Sequence, residues 1–523
     1  MPISHPQQVA LWDESNSGEP ARSRPTEAAY WRGSIASRSQ SREDQRQLGQ
    51  YMTPPPIARL IARRMVEGRS WSGRVVRVLD PAAGSGVLAA ALVEAIIALP
   101  SPPVGIELLM CDLDPAMQPL LKRCATELEA LCAECGLKIV ARAQQGDFLL
   151  SALARDALPV VDAVIANPPY FKLARKDARV LAHEGSVHGQ PNIYALFMSS
   201  CAAILRPGGA YGFITPRSWT NGAYFSATRR TLRQRMSIDA LHLFDSRHAH
   251  FEDDAVLQEA LILWGTAARA QSDVMVSTSH GIADIDARTA VAWPGERVVG
   301  FNVDDAVVLP SGTTTGGLEQ WPLKLADVAL RVLTGPVVGF RARPHLRPQP
   351  SKTSVPMLWM PHVRRSHIDW PRRHKAEHIE SNTDSAWMLL PNEPMVLLRR
   401  FSPKEDERRI TAAPYEGQLP GARVGLENHL NVIRGANSPL SVDAVRGLAA
   451  WLNSRVVDEH LRQRLGSTQV NAVELRSLPI PDIAALVQLG RDLPEEPTLD
   501  QIDEHVSCLV HHDAGAAHDA RAA

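Results

Sequence analysis

The feature that most restricts the fold of this chain is a regular alternation of short apolar runs and longer stretches rich in Ala and Leu. The short runs are rich in Val and Ile, as β-strands are, and the longer stretches have the length of helices. They fall in turn at residues 75–79, 87–98, 106–111 and 117–131. Strand, helix, strand, helix predicts a parallel sheet covered on both faces. We therefore expect a doubly wound α/β domain at residues 49–266. Further strands are expected at residues 163–166, 210–215 and 257–264.

The rest of the chain has a different composition and pattern. After residue 266 the alternation is lost, and Pro, Trp, Arg and His become frequent. This composition predicts a second domain of mixed α+β, loop-rich build at residues 267–490. Residues 1–48 are polar, with one short helix expected near residues 27–31, and are predicted to form a partly flexible extension. Residues 491–523 are predicted to form an acidic tail.

Composition excludes several classes of protein. The chain has 523 residues, of which 45% are hydrophobic and 22% charged, and no apolar run approaches the roughly 18 residues of a membrane span. The first residues lack a basic stretch followed by an apolar one, so we expect no secretory signal and a cytoplasmic protein. Six cysteines are too few for a disulfide framework. Cys132 and Cys135 have metal-site spacing, but no second such pair follows, so no metal site is predicted.

A glycine-containing loop follows the first predicted strand. Residues 80–86 read Asp-Pro-Ala-Ala-Gly-Ser-Gly, and Gly84 and Gly86 allow the backbone to turn tightly and approach a ligand at a helix N-terminus. The loop has neither the dinucleotide pattern nor the Gly-Lys-Ser/Thr of a phosphate loop. Asp112 ends the second strand, where a carboxylate can accept hydrogen bonds from ribose hydroxyls, whereas Asp114 can cap the next helix. A nucleotide-like cofactor is therefore predicted.

The strongest single motif is Asn167-Pro168-Pro169-Tyr170, directly after an apolar run. Two prolines remove two N–H donors and fix the backbone. The amide oxygen of Asn167 and the carbonyl of Pro168 can then accept the two N–H bonds of an exocyclic NH2 group, while Tyr170 stacks on its ring. The motif predicts a planar amine as substrate. A loop without chemistry is the alternative.

A third polar segment, Gly146-Asp147-Phe148, lies between the second and fourth predicted strands. Its carboxylate can accept a hydrogen bond from the exocyclic amine of an adenine, and its ring can lie against the base. The same three residues are common in simple turns. Their position between these strands favours the adenine contact.

Charge is unevenly distributed, although the formal net charge is only -1. Residues 341–410 contain 14 basic and 8 acidic residues, whereas residues 491–523 contain 8 acidic and 2 basic ones. Phosphates respond to the local surface rather than to the total, so the sequence is compatible with binding a polyanion. Arg364 and Arg365, with Arg372 and Arg373, are candidate DNA contacts. Either pair alone is more typical of a solvated surface, and the cluster as a whole is the stronger signal.

Together these motifs resemble the N6-adenine DNA methyltransferases that use S-adenosylmethionine. Their order resembles the gamma group of type II restriction-modification systems, including the TaqI-type and PstI/BsuBI-type enzymes, in which a segment like Tyr51-Met52-Thr53-Pro54 comes first and a large domain comes last. The resemblance is specific over residues 49–264 and looser beyond. It implies a class I S-adenosylmethionine-dependent fold, a C-terminal DNA-recognition domain and double-stranded DNA as partner. It also implies a separately encoded cognate restriction endonuclease.

The resemblance implies a role for each motif of this sequence. One group of residues is implied to bind the cofactor, the segment around Thr53 closing over its methionine end. These are Tyr51, Thr53, Pro54, Asp80, Ala82, Gly84, Gly86, Asp112, Asp147 and Phe148. A second group is implied to hold the target base: Asn167, Pro168, Pro169, Tyr170 and, as a second aromatic, Phe251. Phe251 is equally compatible with a place in the hydrophobic core.

Two other functions fit parts of the sequence. A methyltransferase that acts on glutamine of a protein could hold an amide NH2 with the same tetrapeptide, but the C-terminal domain would be unexplained. A catalytically inactive DNA-binding subunit of a defence complex would not need an intact glycine loop and tetrapeptide. We therefore expect a site-specific enzyme that methylates N6 of a flipped-out adenine in DNA, without a fused nuclease.

Overall fold

The computed structural model describes most of the chain: residues 24–38, 52–156, 160–186, 188–244, 260–282, 284–287, 289–300, 306–310, 318, 321, 323–372, 376–402, 406–464 and 469–509. The site candidates Tyr51, Phe251 and Arg373 lie outside these ranges. Within them, no helix combines the length and apolar character needed to cross a membrane. The chain divides into two compact units, Met1–Val308 and Leu309–Ala523.

One sheet organises the first unit. Its strands in the described ranges are β1 (Val75–Asp80), β2 (Gly105–Asp112), β3 (Lys138–Gln145), β4 (Val161–Ala166), β5 (Leu205–Pro216), β6 (Met236–Phe244), β7 (Ala260–Ala267), β8 (Val274–Ser279) and β9 (Thr289–Trp293). Their order is β3-β2-β1-β4-β5-β7-β6-β8-β9. The first five run parallel, whereas β7 is antiparallel to both β5 and β6. Open parallel sheets bind ligands at the carboxyl ends of their strands where the order reverses, which here is between β1 and β4.

Helices pack against this sheet. They are α1 (Pro25–Arg38), α2 (Pro55–Val66), α3 (Val87–Ile97), α4 (Gln118–Glu134), α5 (Ala152–Asp156), α6 (Ala178–Ala182), α7 (Ile193–Ile204), α8 (Ser226–Arg235) and α9 (Gly295–Val299). All six residues of β4 are buried, so the sheet is covered on both faces there. The predicted doubly wound α/β fold is confirmed.

The first unit extends beyond the boundary predicted at residue 266, which falls at the end of β7. β8 pairs in parallel with β6, and β9 pairs with β8, so the same sheet continues. The backbone N–H of Val307 also donates to the carbonyl of Thr220 at 2.7 Å. Strand β3 was not predicted because it lies at the sheet edge and has no fully buried residue, which leaves its sequence too polar to be recognised.

The N-terminal segment, predicted to be lightly packed, contains helix α1. Arg32 on this helix is fully buried and forms two hydrogen bonds with Glu127 of α4, at 2.8 and 2.7 Å. Thr26 donates to Glu94 of α3 through both its backbone N–H and its hydroxyl. Polar contacts therefore fix α1 to the sheet-covering helices. Apolar periodicity does not reveal such contacts, and the sequence analysis missed them.

The second unit contains two smaller sheets together with helices, which is the mixed α+β build that its composition predicted. The strands are β10 (Leu330–Thr334), β11 (Leu346–Arg347), β12 (Ser354–Leu358), β13 (His378–Glu380), β14 (Leu389–Pro391), β15 (Met395–Arg399), β16 (Ala412–Tyr415), β17 (Arg423–Leu426) and β18 (Leu430–Gly435). They are ordered β10-β18-β15-β16 in one sheet and β11-β13-β12-β17-β14 in the other. Its helices are α10 (Val442–Asn453), α11 (Arg455–Arg464), α12 (Ala472–Arg476) and α13 (Ile483–Asp492).

The described part of the predicted acidic tail packs into the second unit. Residues 499–509 are helical, and Ile502 and Val506 are fully buried in the same apolar cluster as α10 and α13. The carboxylate of Asp503 accepts hydrogen bonds from the Arg408 side chain and the Arg455 backbone, both at 2.6 Å. Asp503 of this segment thus binds basic residues of the same unit.

Candidate active site

The glycine loop forms a tight turn between β1 and α3. Gly84 and Gly86 have φ values of 54° and 95°, in the left-handed region that side chains disfavour. A Cβ atom at Gly86 would lie 2.7 Å from Sγ of Cys124, so α3 begins in close contact with α4. Gly84 faces open space, with no atom within 4 Å of the position of a Cβ. The turn is therefore shaped both by backbone conformation and by packing.

Two carboxyl groups lie at the ends of β1 and β2. Burial raises the pKa of Asp80 to about 8, and backbone hydrogen bonds from Ala82, at 3.4 Å, and from Ala89 act in the opposite direction. Burial also raises the pKa of Asp112, to about 6. Asp112 accepts backbone hydrogen bonds from Gly84 and Asp114, each 2.8 Å long, and so joins the two loops. Asp114 accepts from the N–H of Ala116, as expected of a helix cap.

The segment after β3 adds a carboxylate and an aromatic ring. Asp147 accepts a hydrogen bond from the backbone of Leu149 at 2.9 Å, and its other oxygen lies 3.8 Å from the guanidinium of Arg179. Arg179 is held more closely by Asp177, through hydrogen bonds of 2.8 and 2.7 Å. The buried ring of Phe148 stacks on Phe197, with centroids 5.6 Å apart.

The tetrapeptide follows the buried strand β4. The amide nitrogen of Asn167 donates to the Thr53 hydroxyl at 3.1 Å, and the Tyr170 hydroxyl donates to the amide oxygen of Asn167 at 2.5 Å. Both the nitrogen and the oxygen of the amide are therefore hydrogen-bonded, which fixes its orientation. The ring of Tyr170 meets Tyr194 edge-on, with centroids 6.0 Å apart. Residues more than a hundred positions apart in sequence thus determine the orientation of one side chain.

These loops surround a cavity of about 320 Å³. Seven of the predicted residues line it: Ala82, Gly84, Asp112, Asp147, Phe148, Asn167 and Pro169. Thr53, Asp80 and Tyr170 are hydrogen-bonded to lining residues. Pro54, Gly86 and Pro168 are adjacent in sequence to these groups and are not among the described lining residues.

The sequence analysis missed part of the cavity wall. The lining residues to which it gave no role in the cavity are Gly33, Ser37, Met52, Pro81, Leu113, Asp114, Met117, Gly146, Phe171, Arg179, Ile193 and Phe197. Gly33 lies on α1, and a Cβ there would lie 2.5 Å from Oγ of Ser85 and 2.2 Å from the Met52 methyl group. The only local signal for Gly33 was a glycine inside a helical stretch, which is too weak to identify a binding wall.

The chemistry of the wall suits a nucleoside rather than a polyphosphate. Three lining carboxylates, Asp112, Asp114 and Asp147, face one lining guanidinium, Arg179, among the residues the structure describes. The remaining lining groups are largely apolar or aromatic. Carboxylates accept hydrogen bonds from hydroxyl and amine groups and favour a cation, so the lining residues suit S-adenosylmethionine in charge and hydrogen bonding.

In the second unit, the described arginine candidates are engaged in ion pairs. Arg364 and Arg372 lie 3.7 and 3.1 Å from the carboxylate of Asp369. Arg365 lies 3.2 Å from Glu407. Their charges are therefore partly neutralised within the unit.

Comparison with known proteins relates this architecture to restriction-modification enzymes. Residues 160–251 match the model of the Eco57I restriction-modification methylase family. The chain is 31% identical to the type II methyltransferase M.PstI of Providencia stuartii, over 87% of this chain and 92% of that enzyme. It is 32% identical to M.BsuBI of Bacillus subtilis, over 85% and 90%.

A solved structure shows the same fold at low sequence identity. The cryo-EM structure of a DrdV–DNA complex matches with a TM-score of 0.51 and 12% identity, over 89% of this chain and 59% of that one. The matches to M.PstI and M.BsuBI show family membership as well as fold, because each has more than 30% identity and covers most of both chains. The chain belongs to the family of type II DNA methyltransferases, the modification enzymes of restriction-modification systems.

Proposed function

We propose that this enzyme transfers a methyl group from S-adenosylmethionine to N6 of an adenine in double-stranded DNA. The observation that carries the proposal is the amide of Asn167, which lines the cavity and is held between Thr53 and Tyr170. An amide fixed in one orientation can direct its oxygen at an exocyclic amine. The close sequence match to the type II methyltransferases supports DNA as the substrate.

The chemistry requires the base to leave the helix. Flipping costs a few kcal/mol, because stacking and pairing are lost. Asn167 and the carbonyl of Pro168 accept the two N–H bonds of the amine and stabilise the positive charge that develops on nitrogen. Tyr170 stacks on the base, and Phe251 is assigned as the second aromatic contact. Positioning and electrostatics thus account for the reaction.

We assign the cofactor contacts by the same reasoning. When bound, S-adenosylmethionine supplies an electrophilic methyl group on its sulfonium. Asp112 would accept hydrogen bonds from the ribose, and Asp147 and Phe148 would contact the adenine ring. Tyr51, Thr53 and Pro54 would close over the methionine end.

We assign recognition of the DNA sequence to the second unit. Its support is the surplus of basic residues at 341–410, which includes Arg364, Arg365, Arg372 and Arg373. A separately encoded endonuclease that cuts the same unmodified sequence is the expected partner, and the cytoplasm, where the DNA lies, is the expected compartment.

A methyl-transfer assay tests the proposal. Purified full-length enzyme, radiolabelled S-adenosylmethionine and unmethylated bacterial DNA should yield labelled N6-methyladenine after digestion to nucleosides. A label found only in a cytosine product would overturn the adenine assignment. Asn167→Ala should reduce transfer by about 10²–10³-fold and leave cofactor binding nearly intact. Loss of both together, or of neither, would reject the role of Asn167.

A further inference from the structure

A short turn in the second unit holds an aromatic side chain in solvent. Phe340 lies a few residues after β10 and is 72% exposed. The turn is ordered, because the N–H groups of Arg341 and Ala342 both donate to the carbonyl of Val338 at 2.9 Å. Ala342 is fully buried and anchors it. Burial of a Phe side chain contributes about 1.5–3 kcal/mol, a gain that is not made by this ring in the described structure.

Two arginines follow the ring in sequence, Arg341 and Arg343. The guanidinium of Arg341 lies 5.4 Å from the Phe340 ring centroid. Arg341 and Arg343 are both exposed, and no carboxylate in the described ranges lies within ion-pair distance of either. Arg347, by contrast, reaches Glu380 at 3.2 Å. The turn therefore presents an exposed apolar ring together with two exposed cations that form no ion pair in the described structure.

A cavity of about 380 Å³ lies beside this turn, with Phe340 in its wall. Trp359 forms an apolar part of the wall, and His429 forms a polar part. The carboxylate of Glu427, also in the wall, is buried, accepts the N–H of Met360 at 2.8 Å and lies 2.9 Å from Nδ1 of His429. It forms an ion pair with neither Arg341 nor Arg343 in the described structure.

We propose that this turn contacts the DNA duplex, with Phe340 inserted into a groove and Arg341 and Arg343 on neighbouring phosphates. A duplex places closely spaced negative charges beside an apolar, stacked interior. An exposed ring on the same turn as two cations without ion-pair partners complements that arrangement, and apolar wedges in grooves are a known mode of DNA contact. The inference rests on the proposed function, because it assumes that DNA is the substrate.

The contact between the turn and DNA is tested by measuring binding of the full-length enzyme to a fluorescein-labelled duplex of mixed sequence. Fluorescence anisotropy reports the affinity over a range of salt concentrations. Arg341→Gln/Arg343→Gln should lower the slope of log affinity against log salt by about 2, since each phosphate contact contributes about 0.9. Phe340→Ala should weaken binding about tenfold and leave the slope unchanged, since the ring carries no charge.

Matched controls separate these effects from general loss of charge or apolar surface. Lys122→Gln/Lys138→Gln removes two exposed cations from the first unit. Trp387→Ala removes a ring that is 71% exposed and has no basic neighbour in sequence. If the turn variants have the same affinity and salt dependence as these controls, the inference is wrong. The proposed function is unaffected in that case, provided that the wild type methylates DNA. If the wild type neither binds the duplex nor methylates bacterial DNA, the proposed function fails and this inference fails with it.

Discussion

The two units differ in how their functional groups are encoded. In the first, candidates occur in short motifs at strand ends, and the fold brings seven of them to one cavity. In the second, candidates were selected by charge alone, and Arg364, Arg365 and Arg372 are all paired with carboxylates. A motif at a strand end implies a position in the fold, because parallel strands deliver their carboxyl ends to one edge. A count of charges does not show which cations are available to a ligand.

The largest loss of stability is expected at the glycine loop, because this motif depends on backbone geometry. Gly86→Ala should destabilise the protein by about 2–4 kcal/mol, because a Cβ there is strained at φ 95° and overlaps Cys124. It should also weaken S-adenosylmethionine binding, since the glycine loop would shift. Thermal unfolding and calorimetric titration measure the two effects.

Gly136→Ala provides the control for that experiment. Gly136 has a φ of 70° but no atom within 4 Å of a Cβ, so only the backbone strain applies. The control should cost about 1–2 kcal/mol and leave cofactor binding unchanged. Equal effects of the two substitutions would show that packing against Cys124 does not shape the loop.

A smaller effect is expected from Thr53, which holds the Asn167 amide that we propose to bind the target base. Thr53→Val removes the hydroxyl that accepts the Asn167 hydrogen bond and keeps the shape of the side chain. The value of kcat should fall about tenfold, because the amide can rotate away from its working orientation. Thr53→Ser retains the hydroxyl and should restore most of the rate. Equal rates for the two variants would exclude a positioning role for Thr53.

A pH dependence is expected from the carboxyl group at the end of β2. Burial raises the pKa of Asp112 to about 6, so this group is ionised above pH 6 and protonated below it. An ionised carboxylate is the better acceptor for ribose hydroxyls and favours a cation. The dissociation constant of S-adenosylmethionine should therefore rise as the pH falls from 7 to 5, by up to about tenfold per unit. In Asp112→Asn this dependence should be lost, and a parallel curve for the variant would contradict the assignment.

The smallest effect is expected for the ion-paired arginines. Arg364→Gln/Arg365→Gln removes two cations whose partners are Asp369 and Glu407. Because these charges are partly neutralised, the slope of log affinity for DNA against log salt should change by less than about 1. The Arg341→Gln/Arg343→Gln variant should show the larger change. The reverse ranking would mean that these ion pairs open when DNA binds.

The sequence predicted the parts of the molecule that depend on local pattern. Apolar strands and Ala/Leu-rich helices identified strands β1, β2, β4, β5 and β7 of the sheet, and the motifs placed Asp112, Asp147 and Asn167 around one cavity. Contacts between distant polar residues were not predictable. Arg32 fixes α1 through a buried ion pair with Glu127, and this brings Gly33 into the cavity wall.

In the second unit, the sequence likewise could not show which charged residues form ion pairs. Ion pairs between residues as far apart as Arg365 and Glu407 depend on the pairing of strands and the course of loops, which charge patterns do not reveal. The availability of Arg341 and Arg343 could therefore be recognised only once their surroundings were known.

The central claim is tested most directly by modification-sensitive sequencing of genomic DNA from a methylation-free bacterial host that expresses the chain. The wild type should place N6-methyladenine at one short sequence motif, and Asn167→Ala, expressed at the same level, should leave that motif unmodified. Methylation of cytosine, or adenine methylation that persists in the Asn167→Ala strain, would contradict the account.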